Sequence, residues 1–166
     1  MAPAAAVRTA TPEDFDRITA VVDDWWGRPV AASLPRLFLD HFWSTSLVAD
    51  DAQGLAGFLI GFVSPSQPTR AYIHFAGVRP DRRATGLGRL LYGSFAAHVA
   101  SLGCTELAAI TSPGNEASIR FHRRLGFAVS EPIDDYNGPG RPMVVFRRGV
   151  ELDVAPDVPG ETSERR

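Results

Sequence analysis

The most informative part of the chain reads Val78-Arg79-Pro80-Asp81-Arg82-Arg83-Ala84-Thr85-Gly86-Leu87-Gly88. It follows a strand-like run and opens a helical pattern. Gly86 and Gly88 remove side chains where a backbone must come close to a ligand. The unpaired N–H groups of a first helical turn, reinforced by the helix dipole, favour anionic oxygens. Three nearby arginines add positive charge: Arg82, Arg83 and Arg89. This run therefore predicts a loop that binds a pyrophosphate.

Two common types of pyrophosphate loop do not fit this run. A magnesium-nucleotide P-loop needs Gly-Lys followed by Ser or Thr, which is not found here. A dinucleotide fingerprint needs a third glycine, and its expected position holds Leu91. Taken alone, the run is equally compatible with an ordinary strand–helix turn whose arginines are solvated.

The apolar pattern on either side predicts a mixed α/β domain. Strands are expected at residues 7–9, 46–49, 55–63, 70–78, 107–110, near Phe127 and at 143–147. Helices are expected at residues 12–24, after Ser33, at 88–102 and at 116–125, with a break at 25–29. This order favours a central, mostly antiparallel sheet of seven strands with about four helices, parallel where helices intervene. Residues 1–149 form the predicted domain, and the Pro- and charge-rich residues 150–166 are expected to be a flexible tail.

The composition of the chain limits the classes of molecule that it is expected to bind. The chain has 166 residues, 45% of them hydrophobic, which suits one domain. With 17 basic and 19 acidic residues its formal net charge is −2, so nucleic acid is a poor default partner. No run is long enough for a membrane span or for the core of a signal peptide, so a soluble cytoplasmic protein is expected. Cys104 is the only cysteine and is expected in the core.

A second motif lies downstream, at Asn115-Glu116-Ala117-Ser118-Ile119-Arg120-Phe121-His122-Arg123-Arg124-Leu125-Gly126-Phe127. It resembles the Asn-(x)₁₀-Gly-Phe segment of the GNAT superfamily of N-acetyltransferases. The stretch 73–92 resembles that superfamily's cofactor loop, whose pattern Arg/Gln-x-x-Gly-x-Gly/Ala is met by Arg83, Gly86 and Gly88. The two motifs and the order of elements cover about residues 7–148. The resemblance implies the GNAT fold and an enzyme that moves the acetyl group of acetyl-CoA directly to a primary amine.

The resemblance also implies which residues bind acetyl-CoA, and it implies no metal. Backbone N–H groups along the loop would hold the CoA pyrophosphate, at Arg83, Ala84, Thr85, Gly86, Leu87, Gly88 and Arg89. Ala76, Gly77 and Val78 would pair with the pantetheine arm like an added strand. Asn115 would hydrogen-bond the cofactor, and the alternative for this residue is a helix N-cap.

Acetyl transfer needs a neutral amine, a donor for the developing oxyanion and a proton for the departing thiolate. A backbone N–H near Gly77 or Val78 is the candidate oxyanion donor that the resemblance offers. His74 is the candidate general base, because histidine titrates near neutral pH and some superfamily members carry one here. Strand alternation places Tyr72, His74 and Ala76 on one face. The alternative for His74 is structural packing between sheet and helix.

The superfamily's usual general acid is a tyrosine seven residues after the motif asparagine, and this chain has His122 there. His122 is therefore either an imidazolium acid or part of the pocket wall. Tyr136 is a second candidate phenol.

By the resemblance, the acceptor contacts the first two helices and the loop before the last strand. Trp25 and Trp26 are candidates for binding a ring or an ammonium group, with core packing as the alternative. Arg28 is a candidate partner for a carboxylate. Asp135 or its neighbour Asp134 is a candidate for binding a cationic amine, with a solvated turn as the alternative.

These residues together favour a small-molecule amine as acceptor. Two other functions stay open: an acyl-CoA-binding sensor with little catalysis, and acetylation of a protein or peptide amine. The missing tyrosine slightly favours the sensor. Many similar domains pair as homodimers, so a homodimer is also an expectation.

Overall fold

In the computed structural model, which describes residues 4–150, seven strands form one sheet. The strands are β1 Ala6–Thr9, β2 Leu47–Asp51, β3 Gly54–Val63, β4 Arg70–Val78, β5 Glu106–Thr111, β6 Ala128–Val129 and β7 Val144–Gly149. The α-helices of the same residues are α1 Asp14–Thr19, α2 Val22–Trp26, α3 Leu37–Phe42, α4 Leu87–Ser101 and α5 Glu116–Arg124. The strand order is β1-β2-β3-β4-β5-β7-β6, and the neighbours are antiparallel except for β4 and β5. The predicted fold class is confirmed, with five described helices instead of about four.

Apolar side chains cover both faces of this sheet. On one face α4 packs through residues such as Leu91 and Phe95, and Cys104 lies in this cluster at 2% exposure, as expected. On the other face the short N-terminal helices pack around Ile18 and Phe58. The two faces are called here the α4 face and the α1–α3 face. Within residues 4–150, the helices include none long and apolar enough to cross a membrane.

The N-terminal helices differ most from the prediction. One helix over 12–24 was expected, but the structure has α1 and α2 separated at Ala20 and Val21. The Thr19 hydroxyl donates to the Phe15 carbonyl at 2.9 Å, a bond that competes with the helical ladder. The expected break at 25–29 is also wrong at its start, because α2 ends only where Gly27 adopts a left-handed conformation, with φ +66°.

The second predicted helix is also shorter and later than expected. Instead of a helix directly after Ser33, the structure has a 3₁₀ turn at Ala31–Ser33 and then α3 from Leu37. Pro35 separates the two, because the residue before a proline avoids helical backbone angles. Leu34 accordingly has φ −117° and ψ 82°.

A β-bulge interrupts β4 at a residue of functional interest. Ile60 of β3 pairs with Phe75, and Gly61 pairs with Ile73, so His74 is an extra residue in β4. The bulge reverses the alternation of side chains beyond it. Ala76 consequently packs on the α4 face, while His74 stacks on Phe38 of the α1–α3 face. The expectation that Ala76 shares a face with Tyr72 and His74 is therefore wrong.

The end of the domain is held by backbone pairing. The N–H of Val150 donates to the carbonyl of Thr105 at 2.8 Å, and its side chain packs against the α4-face core. Val150, the first residue of the predicted flexible tail 150–166, therefore has both a backbone and a side-chain contact with the domain. Residues 151–166 of that prediction lie outside the described residues.

Candidate active site

The parallel strands β4 and β5 separate after three paired positions. Their pairing ends at Tyr72 opposite Ala108, although β4 continues to Val78 and β5 to Thr111. Within residues 4–150, the β5-facing backbone groups of residues 73–78 therefore have no strand partner. A cavity of about 550 Å³ lies along this gap. Its walls include Leu91 and Tyr92 from the α4 face and Trp25 and Phe58 from the α1–α3 face, so the gap opens toward both faces.

The glycine loop forms the anionic end of this cavity. After a 3₁₀ turn at Pro80–Arg82, Ala84 and Gly86 adopt positive φ values of 59° and 90°. Gly86 is the N-cap of α4, and its helix has no side-chain cap in the structure, which leaves N–H groups of the first turn for a ligand. Ala84 and Gly88 line the cavity. Gly88 also allows close packing, since a Cβ there would lie 3.1 Å from the ring of Phe121 in α5.

Most side chains of the loop point away from the cavity or bind other parts of the protein, so the backbone is the main group that the loop offers to a ligand. Leu87 is buried in the α4-face core, while Thr85 is exposed and donates its hydroxyl to the Arg82 carbonyl at 2.6 Å. Arg89 is exposed and is not among the residues that line the cavity. Arg83 lines it, but its guanidinium donates to the carbonyl of Trp25 at 2.5 Å, which ties α2 to the loop.

An ion cluster holds the loop against β2. Arg79 and Arg82 both pair with the Asp51 carboxylate, at 2.7 and 2.5 Å, and that side chain is fully buried between them. The hydrogen bonds from Arg79, followed by those from the Gln53 N–H and Arg82, hold the pKa of Asp51 well below its usual range despite burial. The positive charge of Arg82, predicted to serve a ligand, is therefore compensated in part by the protein itself.

Asn115 caps α5 at the wall of the cavity. Its side-chain oxygen accepts the Ser118 N–H at 3.3 Å, and its amide donates to the Thr111 hydroxyl at 3.1 Å. The N-cap that was the alternative for Asn115 is thus present in the structure. A contact with the cofactor stays a prediction, which the position of Asn115 on the cavity wall allows.

His122 also lies on the cavity wall, and both of its ring nitrogens have hydrogen-bond partners within the protein. Its Nδ1 lies 2.8 Å from the carbonyl of Ser118, which can only accept, so Nδ1 carries the proton. Nε2 then accepts the hydroxyl proton of Tyr92 at 3.1 Å. Burial lowers the pKa of His122, an effect that the Ser118 carbonyl opposes only in part. A neutral ring in this hydrogen-bond arrangement fits the pocket wall better than an imidazolium acid.

Tyr92 is a site residue that the sequence analysis missed. It is 5% exposed in the core and also lines the cavity. Its spacing of four from Gly88 places it on the same face of α4 as the glycine loop, a signal that could have identified it.

His74 lies at the bulge on the α1–α3 face. Its Nε2–H donates to the Ser33 carbonyl at 2.7 Å, and its ring stacks on Phe38 with centroids 3.8 Å apart. These contacts match the packing alternative, but the Nδ1 lone pair has no hydrogen-bond partner among residues 4–150. Burial lowers the pKa of His74, with partial opposition from the Ser33 carbonyl, so the ring is neutral at pH 7. His74 is not among the residues that line the cavity.

The predicted acceptor residues divide between two places. Trp25 is 8% exposed and stacks on Phe58 at 6.1 Å, which is the core-packing alternative. Trp26 stacks on Phe75 at 5.2 Å and covers Gly77, where any Cβ would collide with its ring. Both tryptophans and the exposed Arg28 nevertheless line the larger cavity.

Tyr136 and Asp135 lie elsewhere, on the loop before β7. Tyr136 is 48% exposed and lines a second cavity of about 200 Å³, together with Tyr72. Asp135 has a φ of +53°, and its carboxylate accepts the Gly140 N–H at 2.7 Å. That bond shapes the loop, which matches the turn alternative. Within residues 4–150 no cluster of side chains is suited to hold a metal ion.

Comparisons with known proteins agree with this geometry. Residues 13–127 match the acetyltransferase (GNAT) family. The L-methionine sulfoximine/L-methionine sulfone acetyltransferase of Pseudomonas paraeruginosa is 32% identical over 143 residues, 76% of this chain and 81% of that protein. The L-2,4-diaminobutyric acid acetyltransferase of Nocardia farcinica is 34% identical over 104 residues, 60% of this chain and 54% of that protein.

Among solved structures, diaminobutyrate acetyltransferase from Paenibacillus lautus, in complex with its substrate and coenzyme A, has a similar fold. It superposes with a TM-score of 0.67 at 20% identity, covering 89% of this chain and 95% of that one. The family match, the sequence relative and the gap in the sheet lead to one conclusion. The chain belongs to the GNAT family and is an acetyl-CoA-dependent N-acetyltransferase.

Proposed function

We propose that this enzyme acetylates the primary amine of a small, amino-acid-like molecule, and that the gap between β4 and β5 is where transfer occurs. The sequence relatives that act on methionine sulfoximine, methionine sulfone and diaminobutyric acid support an acceptor of this class. The observation that carries the site is the separation of the two strands after Tyr72 and Ala108, which leaves a gap along β4 up to Val78, where the chain enters the glycine loop.

The residues present fit acetyl-CoA in two independent ways. The uncapped first turn of α4 and the left-handed backbone at Ala84 and Gly86 supply N–H groups for a pyrophosphate. The unpaired edge of β4 at residues 76–78 supplies backbone groups for the amides of the pantetheine arm. Leu91, Tyr92 and Phe121 supply apolar surface along the cavity wall.

When bound, acetyl-CoA supplies the acetyl group as an activated thioester. The acceptor amine must arrive neutral, although a free alkylammonium has a pKa of roughly 10. Its nitrogen then forms a bond to the acetyl carbon while the C–S bond breaks, and the amine proton is lost as the thiol form of CoA leaves. A β4 backbone N–H near Gly77 or Val78 is the proposed donor to the carbonyl oxygen.

Among the candidate proton-handling residues we favour His74, because one ring nitrogen is not used in the contacts that pack it against Ser33 and Phe38. Its neutral ring presents an uncommitted Nδ1, which suits a base or proton relay for the incoming amine. His122 has both nitrogens engaged, at Ser118 and Tyr92, and we assign it to the pocket wall. Tyr136 lies at the second cavity, where an acceptor contact is the more direct role for its phenol.

We also propose that the enzyme is a cytoplasmic homodimer. A homodimer and a cytoplasmic location rest on the family resemblance and the composition. Light scattering after gel filtration tests the first, and fractionation of expressing cells tests the second.

The activity itself is tested by release of CoA thiol from acetyl-CoA in the presence of an amine panel that includes L-methionine sulfone and L-2,4-diaminobutyric acid. We expect thiol release that depends on the amine, with the added acetyl group seen by mass spectrometry. Binding of acetyl-CoA with no turnover on any amine would instead support the sensor function.

A further inference from the structure

A row of three residues crosses the sheet at the end of the gap. Tyr72 of β4 is the register partner of Ala108 of β5, which is the partner of Arg147 of β7. Leu107 and Ala109 belong to the α4-face core, so Ala108 and its partners face the opposite side. Adjacent strands lie about 4.8 Å apart, so roughly 10 Å separates the two outer strands, and only the Ala108 methyl lies between the side chains of Tyr72 and Arg147. This row is the floor of the second cavity of about 200 Å³.

The cavity lies next to the proposed place of acetyl transfer. Tyr72 opposite Ala108 is the last paired position before β4 and β5 separate. Ile110 of β5 pairs with Val145 of β7, and both residues also line the cavity. This pair lies beyond Ala108, in the part of β5 that is separated from β4. Arg70, which forms an ion pair with Glu106 at 2.6 Å, also lines the cavity. A small molecule in this cavity therefore has one end at the gap.

The polar groups of the cavity form an anion-binding set. Arg70 is matched by Glu106, but Arg147 has no carboxylate partner among residues 4–150. Burial raises the pKa of Tyr72 to about 12, so its hydroxyl stays protonated and can donate. Tyr136 lines the same cavity. A guanidinium with two hydroxyl donors is suited to a carboxylate.

We propose that the second cavity is the acceptor site and that it selects primary amines that also carry a carboxylate. Arg147 pairs with that carboxylate, Tyr72 and Tyr136 donate to it, and the amine extends into the gap. This inference rests on the proposed function and assigns its acceptor. It replaces Arg28, which lines the larger cavity, as the partner of the acceptor carboxylate.

The test compares Arg147→Gln with Arg148→Gln. Arg148 is the matched control, because it is the next residue, faces the other side of β7 and lies over the ring of Phe127. Each amino acid of the panel is assayed beside its carboxamide, which keeps the amine and removes the negative charge. We expect Arg147→Gln to raise the KM for the amino acids on the order of tenfold to a hundredfold. The KM values for the carboxamides and for acetyl-CoA should not change.

Equal effects on amino acid and carboxamide, or equal effects of the two variants, would overturn the inference. Failure of the proposed function gives a different result, since the wild-type enzyme would then release no thiol with any amine. In that case calorimetric titration of the same amino acids into the protein with CoA decides the inference. Weaker binding to Arg147→Gln supports it, whereas equal binding, or no binding to the wild-type protein, overturns it.

Discussion

The two proposed ligand sites lie on opposite faces of the sheet and rely on different chemical groups. On the α4 face the glycine loop offers backbone N–H groups, held by the conformation of Gly86 and the first turn of α4. On the α1–α3 face the proposed acceptor site consists of side chains from β4, β7 and the loop before β7. Backbone binding restricts residue types at fixed spacing and leaves a motif in the sequence. Side-chain binding assembled from distant positions leaves none.

The largest effect is expected on acetyl-CoA affinity, from Gly86→Glu in the glycine loop. The new carboxylate would enter the phosphate position, so affinity for acetyl-CoA should fall by roughly a hundredfold or more. Gly103→Glu is the matched control, because Gly103 lies just beyond the other end of α4 with a φ of +95° and open space around it. Both variants carry a similar backbone strain of about 1–2 kcal/mol. Calorimetric titration with acetyl-CoA should separate them; similar affinities would contradict the role of the loop.

A smaller loss is expected from His74→Gln, which tests the side-chain chemistry of the opposite face. Glutamine can keep the donor to the Ser33 carbonyl but cannot act as a base. We expect kcat to fall about a hundredfold near neutral pH while the KM for acetyl-CoA stays unchanged. His41→Gln, on the exposed side of α3, is the control.

The pH dependence gives an independent readout for His74. A histidine ring can act as a base only in its neutral form. Burial lowers the pKa of His74, so the wild-type rate should fall as the pH drops below the usual titration range of histidine. This acid limb should disappear in His74→Gln. A variant that keeps the limb would return His74 to a packing role.

A third, moderate effect is expected on stability, at the Asp14 ion cluster that joins α1 to β1. Burial raises the pKa of Asp14, but hydrogen bonds from Arg8, the Thr11 N–H and Arg17 outweigh it and hold the pKa at about 2, against an ordinary value of 3.8. Because the pKa is depressed, this stability is present above the ordinary value and is lost as pH falls from about 4 toward 2.

Asp14→Asn should remove that pH dependence. The arginines are 42% and 40% exposed, so after solvent screening we expect a loss of about 1–2 kcal/mol at neutral pH. Urea unfolding at pH 7 and at pH 3 measures it. Asp16→Asn, at an exposed carboxylate on the same helix, should change little, and equal losses in both variants would argue against the cluster.

The smallest effect is expected from His122→Phe. A phenyl ring can keep the stacking on Phe146, at 3.9 Å, and the residue has no proton to offer the cavity. We expect kcat to change by less than about tenfold, below the effect of His74→Gln. A loss as large as that of His74→Gln would restore His122 as the general acid.

The same contrast explains what the sequence could predict. The bounds of β4 and of α4 were predicted within a residue, because a long apolar period and a glycine cap are local signals. The bulge at His74 was not, since it depends on how β4 pairs with Gly61 of β3. It reverses the faces of every later residue in the strand, including Ala76.

Pairings between distant parts of the chain were predicted less well than local elements. The assignment of Arg28 to an acceptor carboxylate followed from its place after two tryptophans and stays a prediction, whereas the sheet register that places Tyr72 and Arg147 on either side of Ala108 was not predicted. That register joins residues 75 positions apart, counted as 147 minus 72. The local sequence around each residue does not predict a pairing between such distant positions.

Hydrogen exchange with and without acetyl-CoA tests the central claim most directly. The gap between β4 and β5 and the loop at residues 83–89 should bind the cofactor through backbone N–H groups. We therefore predict slower exchange on addition of acetyl-CoA at residues 76–78 and 83–89, with little change in β1 and β2. Unchanged exchange at both segments, in a protein that still binds acetyl-CoA, would contradict the account.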